Sequence, residues 1–182
     1  MRYPEGHNDT TRARIVEAAS RALRRDGLGA VSIPKLMKAA GLTHGGFYVH
    51  FKDRDELVAE AIAHAANDSA FSAESATADE AFAKYLSKDH VGHPDCGCVI
   101  AALGDEGSRQ GGRVGRAFSD AARGLLRRIE NKLHPRSDRR VPSDEALQSA
   151  SQILGAVVLA RLVQDDGLAE RLLTVARRRV GR

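Results

Sequence analysis

The sequence predicts an all-α chain, and three observations carry that prediction. Apolar residues recur at helical spacing in segment after segment, and no strand pattern of any length interrupts them. Aromatics are only 4% of the chain and Trp is absent, while Ala, Leu and Arg are abundant, a balance that favours helix over sheet. Ser32, Thr43, Asp53 and Ser143 each stand just before a periodic run, where a short polar side chain caps a helix. About nine helices are expected.

In order, Met1 to Asp9 reads as a loose polar arm. A first helix begins near Thr10 and buries Ile15, Ala18, Ala19, Ala22 and Leu23, with Arg12, Arg14, Arg21, Arg24 and Arg25 on its polar face. Gly27 and Gly29 end it. From Ser32 to Leu57 the chain reads as helix, turn, helix, with a further helix opening behind. Ile33, Leu36, Met37 and Ala40 form one apolar face, and Pro34 sits in the first turn where a missing N–H costs little. Gly41 supplies the C-cap. The second helix, Thr43 to His50, is odd in content: two glycines, Tyr48 and two histidines replace the residues of a plain packing helix. Each glycine costs roughly 1 kcal/mol against Ala, and close approach of the backbone to another surface would offset that cost.

Behind Asp53 a helix carries Leu57, Val58, Ala61, Ile62 and Ala65 to about Asp68. Ser69 to Asp79 reads as a break, Ala78 to Ser87 as helix and Lys88 to Gly97 as a loop. Cys98 to Gly107 is a short apolar helix, and Val114 to Leu133 a strongly amphipathic one. Ser143 opens a helix that is apolar on every side from Ile153 to Ala160, a pattern that suggests a subunit interface. A last helix starts near Gly167 and ends in Arg177-Arg178-Arg179.

Composition narrows the function classes. The chain has 182 residues, 42% hydrophobic and 29% charged, which suits a globular protein with a real core. A net charge of +4 is compatible with nucleic acid without requiring it. Cys96 and Cys98 are too close together for an ordinary disulfide staple, and no stretch approaches the roughly 18 apolar residues of a membrane span, so a cytoplasmic protein without membrane partners is expected. No Gly-rich phosphate loop, nucleophile elbow or carboxylate pair in an apolar setting suggests catalysis, and no cofactor is called for. The arginine-rich tail Arg171–Arg182 could meet a membrane surface, but fits the C-terminal charge of a helix equally well.

The first 57 or so residues resemble the DNA-binding domain of the tetracycline-repressor (TetR) family of bacterial transcription regulators. The resemblance rests on Ile15, Ala18, Ala19 and Gly27, then Ser32-Ile33, Leu36, Ala39-Ala40-Gly41-Leu42-Thr43, Gly45, Phe47-Tyr48, His50-Phe51 and Asp55–Leu57. Arg54 stands where the family more often has Lys, and Gly46 where a larger residue is usual. The resemblance implies an N-terminal three-helix helix-turn-helix domain, residues 1–52, and a C-terminal helical ligand-binding and dimerisation domain, residues 53–182. It also implies a homodimeric repressor, partnered by double-stranded operator DNA and released by a small-molecule effector.

Within that frame Thr43 to His50 is the recognition helix. His44 and Gly45 face base edges, while Ser32, Lys35, Thr43, Tyr48, His50, Lys52 and Arg54 line up toward the backbone. Phe47 and Phe51 lock the unit to its neighbours. Ile153, Leu154, Val157, Val158, Leu168 and Leu172 are the candidate dimer contacts, on the helices Ala146–Gln164 and Leu168–Arg178. Phe71, Phe82, Tyr85, Leu86, Ile100, Leu103 and Phe118 are the candidate walls of an apolar effector pocket, which suggests an apolar or aromatic ligand. The run His90-x-x-His93-x-x-Cys96-x-Cys98 offers an alternative input, either a metal ion or thiol chemistry, although its spacing matches no standard zinc pattern.

Overall fold

In the computed structural model, residues 5–29, 32–39, 41, 43–72, 77–136, 138–178 and 180 are described, without the side chains of 5–9, 39 and 44. Ten α-helices and two 3-10 turns account for the regular structure, and no strand occurs among the described residues. They are α1 Glu5–Asp26, α2 Ile33–Ala39, α3 Phe47–His50, α4 Arg54–Asn67, α5 Ala78–Tyr85, α6 Lys88–Gly92, α7 Val99–Ser108, α8 Gly112–Leu133, α9 Asp144–Leu162 and α10 Asp166–Arg177. The 3-10 turns cover His44–Gly46 and Pro94–Cys96.

The caps explain most boundaries. The carboxylate of Asp53 accepts from Glu56 N at 2.7 Å, and Thr77 with Glu80 forms a reciprocal capping box on α5. Ser143 caps α9 and Asp165 caps α10. Gly27 and Gly41, at φ +86° and +73°, take the left-handed conformation that ends α1 and α2.

Two apolar clusters hold the helices together. The first joins α1, α2, α3 and α4 to α7 and the front of α8 through Ile15, Leu23, Met37, Phe47, Phe51, Ile62, Val99, Leu103 and Phe118. The second joins α5, α9, α10 and the rear of α8 through Phe82, Tyr85, Leu86, Ile129, Ile153, Val157 and Leu173. Helix α8 has 22 residues, about 33 Å, and is long enough to serve both.

Four expectations need correction. Helix α1 starts at Glu5, so residues 5–9 are helical rather than a loose arm, while 1–4 lie outside the described residues. The segment from Lys88 is not plain loop: Ser87 Oγ accepts from His90 N at 3.1 Å and starts the short helix α6. Arg24 is not on a solvated face. It is 5% exposed. Its guanidinium is satisfied by Ser20 O, Ser20 Oγ and Gly97 O, the last at 2.7 Å, which offsets the cost of burying the charge. The Thr43–His50 helix is broken into a 3-10 turn and a single α turn, because Gly45 and Gly46 do not sustain the longer helix.

Candidate nucleic-acid interface

The helix-turn-helix is fixed from below. Phe47 and Phe51 are buried and their rings stack at 5.5 Å, tying α3 to the first core cluster. Arg12 of α1 locks α3 to α4: it pairs with Glu56 and Glu60, donates to His50 O at 3.3 Å and lies over the Phe51 ring at 4.6 Å. These bonds use the start of α1 internally and orient α3.

Above that floor is a surface that the folded chain leaves open. Tyr48 is 64% exposed and Val49 70%. Thr43, Gly45, Lys52 and Lys35 are exposed beside them, with Ser32 and His50 half-buried. Lys35 N donates to Ser32 Oγ, which caps α2. The side chain of His44 lies outside the described residues. Among the described residues a Cβ built on Gly45 meets nothing within 4 Å, and one on Gly46 meets Met37 at 3.6 Å, an ordinary contact. Packing against the described residues therefore requires neither glycine. Arg54 is half-buried and donates to the backbone oxygen of Leu28, so part of its donor capacity is spent inside the protein.

Nothing in the sequence pattern singles out Val49 as a surface residue. Its exposure arises because α3 is only one turn long and Phe47 and Phe51 take the inner face.

Residues 15–61 match the sequence model for bacterial regulatory proteins of the tetR family. Over those residues the chain is similar to the TetR family. It is 40% identical over 50 residues to the HTH-type transcriptional regulator AcrR of Shigella flexneri, covering 28% of this chain and 23% of that protein. It is 42% identical over 48 residues to the HTH-type transcriptional regulator TtgR of Pseudomonas putida, covering 26% and 23%. The chain thus spans about a quarter of the length of these curated relatives. Across nearly the whole chain the fold is that of solved TetR structures. Reduced NemR of E. coli superposes with a TM-score of 0.73 at 17% identity over 94% of this chain and 95% of that one. A TetR-family regulator from Agrobacterium tumefaciens gives 0.71 at 17% over 95% and 98%.

The helices behind the helix-turn-helix show where the other predicted residues fall. Of the seven candidate pocket walls, Tyr85 lines a cavity. Phe71, Phe82 and Leu86 are packed into the second core cluster, and Leu103 and Phe118 into the first, with Ile100 between the two. Their apolar surface is spent on packing. The cavity, about 90 Å³, is bounded by Asp68, Ser69, Ala70, Lys84, Tyr85, Asp89, His90, His93, Cys96, Gly97 and Cys98, and so is more polar than expected. Burial pushes the Tyr85 hydroxyl well above the usual tyrosine range. It finds no oxygen or nitrogen partner among the described residues.

The His/Cys run does not assemble a metal site. No group of three His, Cys, Asp or Glu is placed to hold an ion among the described residues. His90 Nδ1 meets Tyr85 O at 2.6 Å, and Nε2 accepts from Cys98 N at 2.9 Å, so both ring nitrogens are used. Burial holds this imidazole below the usual histidine range, with the nearby Arg161 acting in the same direction. Arg161 itself donates to His90 O, Val91 O and Ala101 O. Desolvation and a hydrogen bond to Asp95 raise the Cys96 thiol, which lowers its thiolate content.

The six candidate dimer residues divide into two groups. Ile153 and Val157 are fully buried in the chain's own core, while Leu154 and Leu172 are half-buried. Val158 and Leu168 are exposed, and with them Leu147, Leu159, Leu162 and Val175. The all-round apolar sequence of α9 hid this division: one side faces α8 and α10, and the other faces outward.

Proposed function

We propose that the chain is a sequence-specific DNA-binding regulator acting as a homodimeric repressor, with residues 1–52 as the DNA-binding domain and 53–182 as the ligand-binding and dimerisation body. The observation that carries this reading is the open surface at Gly45, Tyr48 and Val49, flanked by Lys35 and Lys52, on a firmly anchored helix-turn-helix. A recognition turn enters the major groove only if nothing holds its backbone away, and Gly45 offers that approach. His44 reads a base edge, and Val49 supplies an apolar contact for a thymine methyl. Ser32, Lys35, Thr43, Tyr48, His50 and Lys52 meet phosphates, with Arg54 giving one hydrogen bond to Leu28 and the rest of its fork to the backbone.

One such module reads few bases, so a two-fold dimer supplies the affinity. The outward stripe Leu147, Val158, Leu159 and Leu162 of α9, with Leu168 and Val175 of α10, is the surface that supports dimerisation. The effector enters the cavity at Tyr85. At about 90 Å³ it admits a molecule of few heavy atoms, with the Tyr85 ring against its apolar part and polar groups around the rest. Release follows if that molecule binds the DNA-incompetent arrangement more tightly.

A second input is supported by one position. Cys98 is the N-cap of α7 and lines the same cavity, so thiol chemistry there would act on the same helix. A metal ion is not favoured at this run, since both ring nitrogens of His90 are engaged within the chain.

Selection from a random duplex library with the wild-type chain tests the reading. It predicts enrichment of an inverted repeat, bound with a steep salt dependence, and a Lys52→Ala chain that loses affinity on every duplex and whose salt slope falls by about 1. No enrichment, or retention indifferent to salt, contradicts it.

A further inference from the structure

The turn between α1 and α2 carries an unusual pair of bonds. Leu28 N–H donates to Glu106 Oε2 at 2.9 Å, 78 residues away in α7. Leu28 C=O accepts from Arg54 at the head of α4. Both polar groups of one residue are thus held by ionised side chains from other helices, and charge-assisted bonds of this kind are strong and directional. The Leu28 side chain is buried in the cluster that also contains Val99 and Leu103 of α7.

Gly27 fits the same arrangement. Its φ of +86° favours glycine, and a Cβ there would stand 3.0 Å from Glu106 Oε1. The carboxylate therefore lies over the glycine, in the place a side chain would take. A carboxylate in the last turns of a helix also faces the negative end of the helix dipole, so its position in α7 is not favoured by the helix itself.

The other end of α7 is held at the cavity. Cys98 N donates to His90 Nε2, and the preceding Gly97 carbonyl accepts from buried Arg24 of α1. Gly97 is pressed against the His90 ring, where a Cβ would come within 2.7 Å. Helix α7 has ten residues, about 15 Å, and so runs from the cavity wall to the turn that introduces the helix-turn-helix.

We propose that Glu106 is a positioning residue: through its bond to Leu28 N–H, α7 sets the orientation of the DNA-reading helices, with Arg54 holding the opposite side of the same residue. This rests on the DNA-binding reading above. A displacement of α7 at its cavity end shifts Glu106, and the α1–α2 turn moves with it.

The test uses the full chain and the duplex enriched by wild-type selection. Glu106→Ala removes the bond, while Glu106→Gln keeps an acceptor of the same length. Glu106→Ala should bind about tenfold more weakly with an unchanged salt slope, since no phosphate contact is lost. Glu106→Gln should recover most of that affinity. Amide exchange at Leu28 should quicken in the Ala variant while Ile129 in α8 stays protected, which separates local release from general unfolding. Affinity within twofold of wild type in Glu106→Ala, or a salt slope lowered by one or more, overturns the proposal. Should that variant not fold, Glu106→Asp, a methylene too short to reach Leu28, carries the same thresholds. Failure of the wild-type chain to enrich any duplex overturns the DNA-binding reading, and this inference with it.

Discussion

Two surfaces of the molecule leave apolar side chains in water, and they differ in kind. At the tip of the helix-turn-helix the exposed pair is Tyr48 and Val49, small in extent, beside a bare Gly45 and among lysines. On α9 and α10 the exposed set is Leu147, Val158, Leu159, Leu162, Leu168 and Val175, a stripe two helices wide. The first suits a polyanion with shallow apolar features in its groove, and the second suits a second copy of the same stripe. Exposure alone does not identify a partner. On the proposed reading the residues surrounding the exposed ones distinguish the two, by supplying charge in one case and apolar continuity in the other.

A charge in the stripe gives the largest expected effect. Leu159→Glu should raise the dimer dissociation constant roughly a hundredfold, about 3 kcal/mol, while leaving the monomer folded, because Leu159 is half exposed and outside both core clusters. Sedimentation across a concentration series reads this. A wild-type chain that is monomeric at micromolar concentration would remove the stripe from the comparison.

A change that touches neither surface gives a smaller effect. His90 is held below the ordinary histidine value of 6.5 chiefly by burial. The unfolded chain therefore takes a proton more readily than the folded one, and stability rises with pH through this window. The contribution is full above about 6.5 and is lost progressively as pH falls below it. Thermal melts should show Tm dropping by a few degrees from pH 7.5 to pH 5, and a smaller drop in His90→Gln. An equal drop in both would place the sensitivity elsewhere.

Much of this was legible in the sequence because it is local. The caps at Asp53 and Ser143, the glycine stops at Gly27 and Gly41 and the anchoring by Phe47 and Phe51 follow from spacing and residue type. What was not legible depends on distant partners. Nothing near Arg24 in sequence announces that Gly97 O will satisfy it, and nothing near Glu106 points to Leu28. The aromatic residues around Phe71 and Phe82 read as pocket walls because composition does not show whether an apolar ring meets a ligand or another ring; here they meet each other at 5.2 Å. The apolar belt of α9 hid which side faces inward, since a pattern apolar all round has no phase to read.

The most direct measurement pairs stability with binding in Gly45→Ala. A methyl group there meets nothing within 4 Å among the described residues. The account predicts an unchanged or slightly raised Tm, since alanine restricts the unfolded chain, together with binding of the selected duplex weakened about tenfold, ~1.4 kcal/mol. Wild-type affinity in a normally folded Gly45→Ala chain would contradict the claim that this surface enters the groove.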